Sequence, residues 1–73
     1  MTKNVFIYKL FKELNIWKIS LFLNESLMDL ALADQLCKDR IEFRDLYLKS
    51  KVEKMYDLYG EENINVFCKI FGY

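Results

Sequence analysis

Apolar residues recur at three- and four-residue spacings over most of this chain, and one segment breaks that rhythm. From Trp17 to Leu23, Ile19, Leu21 and Leu23 alternate with Lys18, Ser20 and Phe22, which predicts a β-strand at 17–23 with two distinct faces. The period changes at Asn24-Glu-Ser. Asn24 has the chemistry of a helix N-cap, Glu25 and Asp29 suit the positive end of a helix, and Leu27, Leu30 and Ala31 begin an apolar face, so a helix is predicted from 25 to about 37.

Helical spacing organises the rest. Phe6, Leu10, Leu14 and Trp17 predict a short amphipathic helix over 3–15, although Val5-Phe-Ile-Tyr8 has the composition of a strand as well. Lys38-Asp-Arg40 is polar, and Asp39 with Glu42 has the spacing of a capping box, so a turn and a fresh helix start are expected there. The following helix has Ile41, Leu48, Val52, Met55 and Tyr59 on one face, and Gly60 stands where a carboxyl cap belongs. Glu61 and Glu62 open a last helix over 61–71 with Ile64, Phe67 and Phe71 on one side. The alternation of Ile64, Val66, Cys68 and Ile70 makes an edge strand the other option.

A lone strand leaves its edges unpaired, and nothing nearby in the chain supplies a partner, so the partner strand is expected from a second copy. Size and composition point the same way. A chain of 73 residues buries only about 60% of its unfolded surface. At 53% hydrophobic and 16% aromatic residues it is apolar for so small a monomer, which favours a homodimer sharing one core.

Formal charge is zero, but Lys3, Lys9, Lys12 and Lys18 face only Glu13 within residues 1–24, so a polyanion-facing surface is expected to include the amino-terminal part. The chain has no His, no glycine-rich phosphate loop and no nucleophile elbow. No catalytic residue, metal ligand, cofactor or small-molecule substrate is therefore expected. Cys37 and Cys68 form no CxxC pair and are read as small buried hydrophobes in a reducing compartment, a disulfide being expected only for a hyperthermophilic source. Lys18 interrupts the longest apolar run, Leu14 to Leu23, so no membrane association and a cytoplasmic location are expected.

With a strand at 17–23, Asn24-Glu-Ser26 and two following helices, the chain resembles the ribbon-helix-helix DNA-binding proteins, the superfamily of the MetJ, Arc and CopG repressors. The resemblance covers residues 17–59. It implies a mainly α fold with one short β-strand: an intertwined ribbon-helix-helix homodimer, here with residues 1–16 as an extension and 61–71 as an added third helix. It further implies a sequence-specific transcription regulator, a repressor, that inserts a two-stranded ribbon into the major groove of double-stranded DNA. Carried over by position, Lys18, Ser20 and Phe22 read bases, while Arg40, Arg44, Lys49 and amino-terminal lysines hold phosphates. Ile19, Leu21, Leu23, Leu48, Val52, Phe67 and Phe71 build the dimer core. In size, lack of Pro and its added helix the chain is also similar to small elaborated regulators of archaeal spindle-shaped viruses, which implies the host cytoplasm as its location.

Where that family has a Gly in the turn and a hydroxyl residue at the second helix start, this chain has Ile41 and Phe43. A second reading follows: a protein-binding dimer, antitoxin-like or a viral host-takeover module, that grips its partner through the apolar tail Ile64 to Tyr73. A cationic membrane-surface helix at 3–18 is a third.

Overall fold

Short polar side chains cap the starts of three of this protein's helices. In the computed structural model, which describes residues 1–73, Thr2 Oγ1 accepts from the Val5 N–H and starts α1 (Lys3–Glu13). Asn15 Oδ1 accepts from the N–H groups of Trp17 and Lys18 at 3.0 and 3.3 Å and starts α2 (Ile16–Leu23). α3 (Leu27–Leu36) follows. Asp39 Oδ1 accepts from the Glu42 N–H at 2.8 Å, and Glu42 Oε2 accepts in return from the Lys38 N–H at 2.8 Å. These two bonds open a one-turn helix, α4 (Arg40–Glu42), at the start that the Asp39/Glu42 spacing predicts, with the return bond reaching Lys38, one residue before the cap. The chain then runs through a π-helical segment, Phe43–Leu48, into α5 (Lys49–Phe71).

There is no β-strand. The strand expected at 17–23 is α2, and the ribbon of the intertwined ribbon-helix-helix homodimer falls with it. The cause lies in the local pattern. Six of the eight residues of Ile16–Leu23 are apolar, so the segment satisfies a period of two and a helical period equally well, and the Asn15 cap decides for the helix. The side chains that turn inward are Ile19, Phe22 and Leu23, three and four apart, while Leu21 faces solvent. Asn24, read from the sequence as the cap of the next helix, instead closes α2. Its φ of 55° is left-handed, and its N–H bonds back to the Leu21 carbonyl at 3.3 Å.

The core is one cluster drawn from every long element. Phe6, Leu10 and Phe11 of α1, Ile19, Phe22 and Leu23 of α2, and Leu30 and Ala33 of α3 meet Phe43, Leu48, Val52, Ile64 and Phe71. The segment expected as an amino-terminal extension is thus an integral layer. The residues expected in a dimer core have a different place too. Ile19, Leu23, Leu48, Val52 and Phe71 are buried inside a single copy, Phe67 packs against them, and Leu21 is exposed. Aromatic rings join the layers in a closed circuit, from Phe6 to Phe22 (5.0 Å between centroids), Phe67 (5.2 Å), Phe71 (5.6 Å), Tyr73 (5.6 Å) and back to Phe6 (5.8 Å).

Gly60 breaks α5 at the expected place. Its φ of 77° and ψ of 167° belong to a region open essentially to glycine alone, and the break redirects residues 61–71 so that Ile64 and Phe71 reach the core.

Candidate functional site

The residues assigned to base reading do not form a reading surface. Phe22 is wholly buried, and Ser20 is buried with its hydroxyl donating to the Trp17 carbonyl at 2.7 Å. Lys18 is committed within the fold. Its Nζ donates to Glu13 Oε2 at 2.7 Å and to the Phe71 carbonyl at 3.0 Å, and it lies 5.0 Å from the centre of the Tyr73 ring. These assignments are corrected with the strand that carried them, because a helical turn sends Ser20 and Phe22 inward.

The phosphate residues divide. Arg40 is exposed at the start of α4 and does not line the groove that holds the other two. Arg44 and Lys49 meet in an open groove of about 390 Å³ between α1 and the π-helical segment, lined also by Asn4, Ile7, Tyr8, Phe11, Lys12 and Asp45. The π geometry brings Arg44 and Lys49 together. The Lys49 N–H bonds to the Arg44 carbonyl, five residues back, so one residue stacks over the other. A regular α-helix would separate residues five apart by about 140° around its axis. Asp45 Oδ1 accepts from Arg44 Nε at 2.9 Å, which holds the guanidinium side-on and keeps the Asp45 carboxyl below its ordinary pKa. Lys12 and Tyr8 complete the rim, with Lys12 Nζ 5.8 Å from the centre of the Tyr8 ring. The sequence placed unspecified amino-terminal lysines near phosphate; Lys12 is the one that lines this groove, and nothing local to the sequence announces the π turn.

A second surface lies on the other side of the π-helical segment. α3 is apolar on both faces. Leu30 and Ala33 turn into the core, while Met28, Leu32 and Leu36 form an outward stripe at four-residue spacing, 79%, 55% and 78% exposed. Beside the stripe a groove of about 320 Å³ is lined by Asp29, Leu32, Ala33, Leu36, Cys37 and Tyr47. Its Tyr47 wall is held in place: Lys51 lies 4.3 Å from the ring centre and donates to the Tyr47 hydroxyl at 3.3 Å and to Glu25 Oε1 at 3.0 Å. The Glu25 bond raises the Lys51 pKa, keeping this clamp charged. The predicted apolar face of this helix, Leu27, Leu30 and Ala31, does not include the second stripe, whose signal in the sequence is the i, i+4, i+8 spacing of Met28, Leu32 and Leu36.

The apolar tail is mostly interior. Ile64 and Phe71 are buried, Phe67, Cys68 and Tyr73 pack against the core, and Val66 and Ile70 remain exposed. Both cysteines are free thiols. Desolvation, reinforced by Glu42, Asp34 and Asp39, pushes the Cys37 thiol up, away from the reactive thiolate. No cluster of His, Cys, Asp and Glu could hold a metal ion, and no helix is long and apolar enough to cross a membrane. No family model, no curated protein and no solved structure matches this chain.

Proposed function

We propose that this protein is a small helical interaction module that pairs with a second copy of itself through the outward face of α3. The observation that carries the reading is the double-sided α3. A helix with apolar side chains on two faces is suited to lie between two packed surfaces, and the fold supplies only one of them, through Leu30 and Ala33. The occupant is argued from the stripe itself. Met28, Leu32 and Leu36 are evenly spaced about Leu32, so a two-fold axis at Leu32 sets Met28 against the partner's Leu36 and gives a self-complementary seam. The seam is short, which fits an association of about micromolar strength rather than an obligate dimer.

Sedimentation velocity tests the pairing over a concentration series. The wild-type chain is expected to move from monomer to dimer as concentration rises, and Leu32→Glu is expected to stay monomeric with unchanged helical circular dichroism, because Leu32 points away from the core. A wild-type chain that remains monomeric well above micromolar concentration, or a Leu32→Glu variant that still dimerises, overturns the reading.

A further inference from the structure

The groove between α1 and the π-helical segment has a composition that α3 pairing does not use. We propose that it binds a nucleotide, with the phosphate held by Lys12, Arg44 and Lys49 and the planar base laid on the apolar floor beside Tyr8.

Three features converge there. The rim carries three cations against the single carboxylate of Asp45, in a protein whose formal charge is zero overall. The floor is apolar: Ile7 and Phe11 line it, and Tyr8, 64% exposed, supplies a ring edge and face at the rim. The groove sets an apolar strip of Ile7, Tyr8 and Phe11 against the polar residues Asn4, Lys12, Arg44, Asp45 and Lys49, and its volume of about 390 Å³ lies within the usual range for a small-ligand site. The third feature is the backbone. π-helical turns are rare and recur at functional sites, and this one is what stacks Lys49 over Arg44 so that both reach one anion.

The chemistry selects the ligand class. Asp45 engages Nε and, at 3.5 Å, Nη2 of Arg44, leaving Nη1 of the fork free to donate to a phosphate oxygen. Lys12 and Lys49 add mobile point charges. An inorganic anion alone would leave the floor wet, and an uncharged aromatic ligand would leave the cations unanswered. A phosphorylated planar ring satisfies both halves. The same chemistry is offered by a free nucleotide and by the terminal nucleotide of a single strand.

A titration of the isotope-labelled full chain, followed by two-dimensional NMR, separates the outcomes. Adenosine monophosphate is expected to give saturable shifts at Tyr8, Lys12, Arg44 and Lys49. Adenosine alone and inorganic phosphate alone should each bind at least tenfold more weakly. Lys12→Glu and Lys49→Glu, both at exposed positions, should each weaken the nucleotide at least tenfold, whereas Lys54→Glu, which lines a separate groove with Leu23 and Met55, should leave it unchanged. A 5′-phosphorylated oligonucleotide that binds tenfold tighter than the mononucleotide assigns the site to strand ends; equal affinity assigns it to the free nucleotide. Absence of saturable shifts, shifts mapping outside the groove, or equal weakening by Lys54→Glu overturns the proposal. None of these readouts depends on whether the chain dimerises through α3.

Discussion

The ammonium of Lys18 donates a 3.0 Å hydrogen bond to the carbonyl oxygen of Phe71, tying the start of α2 to the last turn of α5 across most of the sequence. Carbonyls at a helix end have no partner within the helix, and a cation there also meets the negative end of the helix dipole. Glu13 closes the arrangement at 2.7 Å from the same nitrogen, and the side chain of Lys18 is only 16% exposed. Lys18→Met keeps the aliphatic packing and removes the donor. It is expected to cost about 1–2 kcal/mol, since a hydrogen bond to a charged donor is lost at a partly shielded site. Urea denaturation measures the loss, and hydrogen exchange should quicken first in the amides of 64–71.

Gly60 makes a cleaner test of backbone strain. A Cβ built there meets nothing within 4 Å, so any cost of substitution is conformational rather than steric crowding by neighbours. At φ 77° and ψ 167°, Gly60→Ala is expected to destabilise by about 1–3 kcal/mol. D-alanine, introduced by chemical synthesis, has the mirrored preference and should be tolerated. The two melting curves compared with wild type check the argument: equal losses for both enantiomers would mean that the break at Gly60 is not what directs the last helix.

The Asp39/Glu42 spacing, Gly60 and most of the predicted apolar face (Leu48, Val52, Met55 and Tyr59) were legible because each is a local signal with one reading. Ile41, expected on the same face, lies before the π-helical segment that shifts the register and is 62% exposed. The Ile16–Leu23 segment was not, since its few polar residues left the period undetermined and the cap that settles it, Asn15, lies before the alternating stretch. From that one ambiguity came the solitary strand, the ribbon, the base readers and the dimer core. The groove was half legible: Arg44 and Lys49 were singled out as anion-holding residues, but their meeting depends on a π turn, and their approach to Lys12 depends on the packing of α1.

A pair of substitutions in α2 discriminates the helix from a strand without reference to any partner. A strand with Ile19, Leu21 and Leu23 inward makes Leu21 costly to truncate and Phe22 cheap. The helix makes the opposite demand, with Phe22 wholly buried against Phe6, Tyr59 and Phe67 and Leu21 partly in solvent. Phe22→Ala is expected to cost about 3–5 kcal/mol, enough to unfold a domain of marginal stability, and Leu21→Ala about 0.5 kcal/mol. Thermal melts of the two variants read the difference directly.

Tyr73 is expected to weaken the fold at alkaline pH. Its hydroxyl is buried without a hydrogen-bond partner, beside the Glu13 carboxylate, and burial first and the Glu13 charge second push its pKa upward from 10. Burial raises Tyr59 in the same direction. A folded-state pKa above the unfolded one means the stabilisation is fully present below the ordinary tyrosine value and is lost as pH rises beyond it. Each such group removes at most about 1.4 kcal/mol per pH unit over that window. Tyr73→Phe cannot ionise and discards an unsatisfied polar atom, so it should match or exceed wild-type stability at neutral pH. Above about pH 10 its advantage should widen, with Lys18 and Glu13 common to both proteins and cancelling in the comparison. Melting temperatures of the two proteins across the alkaline range check the sign. A gap that stays constant with pH would show that the Tyr73 phenol titrates alike in the folded and unfolded chains.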